Sequence, residues 1–317
     1  MRGGCESRLT SGPCASNRPS ASIMLELGSE LKRPRPQGTS GKSPFRYPGG
    51  KAYLLPEIGA AIQSSPAKIK YYAEPYAGGA GAAVELLALG LVDKVYLNDA
   101  DRRIASAWDA ILRQSDRFIS LIESTKLDIE TWNYYNRIVK NPNLAESSLE
   151  LGFATFFMNR TNRSGIVLGA GPIGGYEQKG DWHLGARFYR DTMVQRVRWL
   201  AERQSQISIA NMDGVKFIRS FPARKARKTF FFIDPPYVGA GSRLYLNTMN
   251  EEKHAELAKA MERKKSVSSW LMTYDDCPLV RYLYTNFSIE RSQIRYSLQR
   301  KRTENEIKIS PQRSLVA

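Results

Sequence analysis

From Phe45 onward the chain alternates short apolar runs with stretches whose apolar residues recur three and four positions apart, the spacing of strands and helices in succession. Tyr71 to Tyr76 reads as a strand, Gly78-Gly79-Ala80-Gly81 as a tight turn, and Ala82 to Leu89 as a helix closed by Gly90. Lys94 to Asn98 is a second strand, followed by a helix from about Asp101 to Arg113. Gln206 to Ala210, Thr229 to Asp234 and Ser268 to Tyr274 are further strands, each followed by a helical stretch. This succession predicts an α/β fold, a Rossmann-like, doubly wound, mainly parallel sheet. Phe287 to Leu298 and Glu304 to Ile309 read as two strands joined by the polar turn Gln299 to Thr303, an antiparallel hairpin at one edge of the sheet.

The rhythm breaks between about Asp116 and Gln204. Helical patterns from Asp128 to Val139 and from Ser147 to Asn159 lead into Asn159-Arg160-Thr161-Asn162-Arg163-Ser164-Gly165 and then a glycine-rich loop from Gly169 to Gly185. A loop of this length is either functional or disordered. This one, with its flank, carries Lys179, Trp182, His183, Arg187 and Arg190, aromatic and basic groups suited to phosphates and bases. Three regions follow: a flexible basic head at 1–43, rich in Ser, Gly, Pro and Arg; a sheet domain from 44–115 and 205–317; and an inserted, mostly helical lobe at 116–204. No internal repeat is visible.

Composition narrows the class. The chain has 317 residues, 42% of them hydrophobic, enough for a sizeable core. It has neither a run of about 18 apolar residues nor the apolar block of a secretory signal, so a cytoplasmic location and no membrane contact are expected. Cys5, Cys14 and Cys277 show no metal-ligand spacing, and neither disulfide nor metal is expected. The net charge of +16 draws attention to polyanions, because Lys and Arg that neutralise phosphates release counterions. The head accounts for only +4 of it, with seven Lys or Arg against three Glu, so +12 stays with the folded part.

Three constellations carry candidate chemistry. In Phe230-Phe231-Phe232-Ile233-Asp234-Pro235-Pro236-Tyr237 an apolar strand runs straight into a turn stiffened by two prolines. There the Asp234 carboxylate and the Pro235 carbonyl can accept two hydrogen bonds from one amino group, with the Tyr237 ring against a flat base. An aromatic amine is a weak nucleophile because its lone pair is delocalised. Acceptors that favour a tetrahedral nitrogen and stabilise its developing positive charge address that weakness without a strong base. The second constellation, Glu74-Pro75-Tyr76-Ala77-Gly78-Gly79-Ala80-Gly81, precedes a helix and a strand ending in Asn98-Asp99, an acid placed to bind ribose hydroxyls. It departs from the full dinucleotide fingerprint, with Val84 where a third glycine would stand, which favours an adenosyl ligand without pyrophosphate; a purely structural turn is the other reading. The third, Phe45-Arg46-Tyr47-Pro48-Gly49-Gly50-Lys51, sets an aromatic and a lysine at a helix start, a pocket for a carboxylate or simply a helix entry.

In this order the motifs resemble the D12 class of adenine-specific DNA methyltransferases, which contains the Dam enzymes, in its alpha arrangement. The resemblance spans roughly Pro44 to Pro311 and extends to Phe156-Phe157-Met158-Asn159-Arg160, to Leu271-Met272-Thr273-Tyr274-Asp275-Asp276 and to Asn305-Glu306-Ile307-Lys308-Ile309. It implies S-adenosylmethionine as cofactor, with Tyr47 and Lys51 at its methionine end, Tyr76, Gly78, Gly79 and Gly81 lining the pocket, Asp99 on the ribose and Asp213 near the adenine. Asp234, Pro235, Pro236 and Tyr237 would hold a target adenine extruded from double-stranded DNA. Arg160, Arg163, Lys179 and Arg187 are the candidate DNA contacts.

The acceptor stays open at this stage, since the same chemistry suits cytosine N4 or RNA, and a DNA-binding protein with a vestigial site is a further reading. So does the question of whether a cognate restriction endonuclease accompanies the chain. The recognition sequence is set by groove contacts and DNA deformability that no spacing encodes. The run Arg224, Lys225, Arg227, Lys228 reads as a solvated loop, and nothing sets up His183 or His254 as a base or metal ligand.

Overall fold

Seven strands build one sheet in a computed structural model that describes residues 42–46, 51–238, 249–264, 269–296 and 302–311. They are β1 (Tyr71–Glu74), β2 (Lys94–Asn98), β3 (Ile207–Ala210), β4 (Thr229–Ile233), β5 (Ser269–Asp275), β6 (Phe287–Tyr296) and β7 (Arg302–Pro311). Their order across the sheet is β3-β2-β1-β4-β5-β7-β6. All pairs are parallel up to β5, and β7 then runs antiparallel between β5 and β6. The protein therefore has the expected doubly wound, mainly parallel sheet with a hairpin at one edge. Residues 297–301, which include most of the expected polar turn, lie outside the described residues, and Thr303 already belongs to β7.

Strand alternation divides the core in two. Phe230 and Phe232 of β4 join one apolar cluster and Phe231 and Ile233 the other, because successive side chains leave opposite faces of a strand. A strand buried at every position and apolar from Phe230 to Ile233, as β4 is, needs helices on both faces. On the first face lie α1 (Leu55–Gln63), α2 (Gly81–Ala88) and α3 (Arg102–Arg113), joined by α4 (Ser115–Ser124), α5 (Ile129–Lys140), α6 (Ser148–Thr161) and α7 (Arg190–Glu202). On the second lie α8 (Gly214–Arg219), α9 (Ala223–Ala226), α10 (Glu251–Lys264) and α11 (Pro278–Leu283).

Local signals explain where the elements begin and end. Asp101, Asp128, Ser147 and Asp213 each accept a hydrogen bond from a first-turn amide as the N-cap of α3, α5, α6 and α8. Pro75 and Pro235 follow directly or after one residue on the last residues of β1 and β4, so both strands stop slightly before the expected Tyr76 and Asp234.

The segment 116–204 shares the first-face cluster. Its central helix α6 is buried along nearly its whole length, packed chiefly against α3 and α5, while α7 packs against α4 and α3. The glycine-rich loop after it has no regular helix or strand before Leu184, yet it is tied down. Arg163 N donates to Gly171 O (3.1 Å), Ile173 N to Thr161 O (2.9 Å) and Leu184 N to Gln178 Oε1 (2.7 Å).

Candidate active site

β1 and β4 are neighbouring parallel strands from which the sheet is wound outward in opposite directions, β1 toward β2 and β4 toward β5. The crevice beyond the carboxyl ends of such a pair is where an open α/β sheet binds ligands. The glycine turn leaves β1 at this edge, and Asp234-Pro235-Pro236-Tyr237 leaves β4 beside it.

On the β1 side the turn is held from below. Gly78 takes a positive φ of 46°, its amide donates to Asp99 Oδ2 (3.0 Å), and its carbonyl accepts from Trp108 Nε1 (2.9 Å). Asp99 also accepts from the Asp101 amide (2.9 Å), and burial pushes this carboxyl up to about 6 against that stabilisation. Gly79 O accepts from Ser43 Oγ. Gly81 opens α2, and a Cβ added there would meet nothing within 4 Å, so open space faces the turn. The ring of Tyr76 lies against Gly214. Asp213 caps α8 through the amides of Val215 and Lys216 (2.9 and 3.1 Å). Buried Asn98, which the sequence reading passed over, joins the ends of β1 and β3. Its Nδ2 donates to Pro75 O (2.8 Å) and Met212 O (2.9 Å), and its Oδ1 accepts from Met212 N (3.1 Å).

On the β4 side Asp234 is surrounded by donors. Its Oδ1 accepts from Thr273 Oγ1 (2.6 Å) and lies 3.2 Å from the Tyr237 hydroxyl, and its Oδ2 is 3.0 Å from Lys51 Nζ. Pro235, Pro236 and Tyr237 are buried, and Val238 N donates to Asp275 Oδ1 (3.1 Å), which pins the turn to β5. Lys51 also donates to Tyr237 Oη (2.9 Å) and pairs with Glu306 Oε1 (3.0 Å), a carboxylate that the Tyr237 hydroxyl touches too. The ammonium of Lys51 is thus on the acceptor side of the crevice, bound to Asp234. Tyr47 lies outside the described residues.

A family model for D12 class N6 adenine-specific DNA methyltransferases matches residues 47–298. The chain belongs to that family. No curated protein gives a match. Among solved structures the rRNA methyltransferase aviRa from Streptomyces viridochromogenes is similar at a TM-score of 0.33, with 13% identity over 95% of this chain and 94% of that one.

Thr273 and Glu306 escaped the sequence reading of this D12 class methyltransferase as site residues. Thr273 interrupts the apolar run of β5, whereas Glu306 stands on the largely polar β7, which brings it next to Asp275 of β5. The only signal was the carboxylate alternating with Ile307 and Ile309, which face the second core cluster.

The four candidate DNA contacts separate. Arg163, Lys179 and Arg187 are exposed; Lys179 pairs with Glu177 (3.0 Å), and Arg187 lies over Trp182 (5.5 Å to the ring centroid) and donates to Tyr189 Oη (2.9 Å). Exposed Tyr176, Trp182 and Tyr189 complete an aromatic and basic surface. Arg160 does not belong to it: the side chain is 3% exposed and donates to the Arg187 carbonyl, because the loop after α6 folds back across it. Burial, with Arg46, Arg196 and Arg187 nearby, lowers its pKa to about 9. Among the described residues none of these four arginines pairs with a carboxylate.

His254 is buried with Nδ1 2.5 Å from the Tyr274 hydroxyl, and His183 is exposed. Of the basic run before β4, Lys225 covers the Tyr96 ring (3.7 Å to its centroid) while Arg224, Arg227 and Lys228 are exposed. Among the described residues no cluster of three or more His, Cys, Asp or Glu could hold a metal ion, and no helix is long and apolar enough to cross a membrane.

Proposed function

We propose that this D12 class methyltransferase transfers a methyl group from S-adenosylmethionine to N6 of an adenine extruded from double-stranded DNA. The observation that carries the reading is Asp234: a carboxylate at the switch-point edge of the sheet, fixed by Thr273, Lys51 and the two prolines behind it.

The β1 side fits the cofactor. Gly78, Gly79 and Gly81 let a ligand approach backbone, the open space at Gly81 gives it room, and the half-buried Asp99 carboxylate at the end of β2 suits ribose hydroxyls. Tyr76 and Asp213, at the start of α8, border the same edge. When bound, the cofactor supplies a methyl group on a sulfonium sulfur.

On the acceptor side Asp234 and the Pro235 carbonyl accept from the adenine amino group, and Tyr237 flanks the base. Positive charge forms on N6 as the bond to methyl forms, and the carboxylate stabilises it. The N6 proton turns acidic only then, so no strong base is required. A base inside a duplex cannot meet a methyl donor in line, which is the reason for extrusion. The segment 116–204 serves as the DNA-recognition lobe in this reading, with Arg163, Lys179 and Arg187 on the phosphates and Trp182 and Tyr189 on bases. DNA as substrate places the protein in the cytoplasm, with or without a cognate restriction endonuclease.

The test is incorporation of labelled methyl from S-adenosylmethionine into DNA, followed by digestion to nucleosides. N6-methyladenine in the digest, lost with Asp234→Ala while cofactor binding by calorimetry persists, supports the proposal. An N4-methylcytosine product or methylated RNA changes the acceptor. DNA retention without cofactor affinity marks the site as vestigial, and an undiminished rate for Asp234→Ala removes the mechanism.

A further inference from the structure

Glu306 is a second carboxylate in the acceptor pocket, and the reaction as derived so far does not use it. It is 1% exposed on β7, where the register sets it between Asp275 of β5 and Ser292 of β6. Its Oε1 lies 3.0 Å from Lys51 Nζ and accepts from the Tyr237 hydroxyl, and its Oε2 accepts from the Tyr53 hydroxyl at 2.5 Å. Lys51 Nζ is equally 3.0 Å from Asp234 Oδ2. One ammonium therefore stands between two carboxylates.

Burying a carboxylate costs free energy unless it is paired, and Lys51 needs only one partner for charge balance. With Asp234 alone the pair is neutral. A cationic acceptor nitrogen would then form beside a carboxylate whose charge is already cancelled. With Glu306 the three groups carry one surplus negative charge, at the edge where positive charge develops.

We propose that Glu306 is a positioning residue of the methyl-transfer site, holding the Lys51 ammonium and the Tyr237 hydroxyl so that Asp234 keeps its negative charge available to the target amine. This rests on the methyl-transfer reading above. Glu306 touches neither base nor cofactor and acts through Lys51 and Tyr237.

The experiment compares wild type, Glu306→Gln, Lys51→Met and the double variant at saturating DNA and S-adenosylmethionine, with S-adenosylhomocysteine affinity measured by calorimetry. Glu306→Gln is expected to lower kcat roughly 10- to 100-fold while the affinity stays within about twofold. Adding Lys51→Met to Glu306→Gln removes the ammonium and restores the charge of Asp234, so the double variant is expected to be faster than Glu306→Gln alone. A purely structural Glu306 gives losses that multiply instead. Multiplying losses, or a Glu306→Gln kcat equal to wild type, overturns the proposal.

Should Glu306→Gln lose its cooperative melting transition, Tyr53→Phe decides. It removes the donor on Oε2 from an exposed side chain and is expected to lower kcat by roughly threefold with unchanged affinity; an unchanged kcat overturns the proposal. A wild-type protein with no methyl transfer sinks the underlying reading as well, whereas an active wild type matched by its variants sinks only the role of Glu306.

Discussion

The ring of Tyr76 lies so close over Gly214 that a Cβ at that glycine would fall 2.4 Å from Tyr76 Cζ. An aromatic ring cannot yield by rotating a flexible end, so the turn after β1 and the start of α8 fit together only with glycine at this position. Gly214→Ala is expected to lower stability by about 1–3 kcal/mol through overpacking and to weaken cofactor affinity, since Tyr76 must shift. Tyr76→Ala leaves a cavity of its own but relieves the clash, so the stability loss of the double variant is expected to be smaller than the sum of the two single losses, with affinity not recovered. Thermal melts of the two single variants and the double variant, with calorimetry for affinity, check this; stability losses that simply add would show that the contact does not couple the two elements.

Thr273 offers a narrower test of the acceptor carboxylate. Its hydroxyl donates to Asp234 Oδ1 at 2.6 Å from a fully buried position on β5. Thr273→Val keeps the shape and removes the donor. The carboxylate then loses one of the bonds that orient it, and kcat is expected to fall roughly tenfold with cofactor affinity preserved. Thr273→Ser restores the hydroxyl and most of the rate. Equal rates for the valine and serine variants would show that orientation by Thr273 is irrelevant.

How legible these relationships were depends on their range along the chain. The apolar run Phe230 to Ile233 announces a strand covered on both faces, and the prolines behind Asp234 announce its end, so β4 and the polar turn could be read locally. The same holds for the N-caps Asp101, Asp128 and Ser147. Glu306 is different: it meets Tyr237 across 69 residues, through a hairpin that inserts β7 next to β5, and no local pattern specifies that register. Arg160 failed for another reason. Its polar neighbours suggest a surface, but the Thr161–Ile173 and Arg163–Gly171 backbone bonds fold the loop over it, a tertiary event.

That inversion yields opposite expectations for two arginines. Arg187 is exposed over Trp182, so Arg187→Ala is expected to weaken DNA binding severalfold and to reduce the slope of log affinity against log salt by about one, as the loss of one phosphate contact does. Arg160 is buried and holds the Arg187 carbonyl, so Arg160→Ala is expected to lower stability by about 1–3 kcal/mol while leaving that slope unchanged. Fluorescence anisotropy across a salt series, paired with denaturation, separates them. A steeper loss of slope for Arg160→Ala would return that side chain to the DNA surface.

Glu74 provides the pH prediction. It is buried beneath the glycine turn, accepts from the Ala83 amide at 3.1 Å, and burial pushes its carboxyl from 4.5 up to about 8. The sign follows from proton counts. Between about pH 4.5 and 8 the unfolded chain has released this proton while the folded chain retains it, so the folded state binds more protons and stability falls as pH rises. Below 4.5 both states hold the proton, above 8 neither does, and the contribution is flat. The slope within the window approaches roughly 1 kcal/mol per pH unit. Asp99, raised to about 6, adds the same sign over a lower range, so the wild-type curve alone does not isolate Glu74. Glu74→Gln does, because the amide still accepts from Ala83 but cannot ionise. Its stability is expected to match wild type near pH 5 and to exceed it increasingly toward pH 8, as read from urea midpoints at each pH. A difference between the two proteins that stays constant across that range would mean that Glu74 is ionised in the folded state.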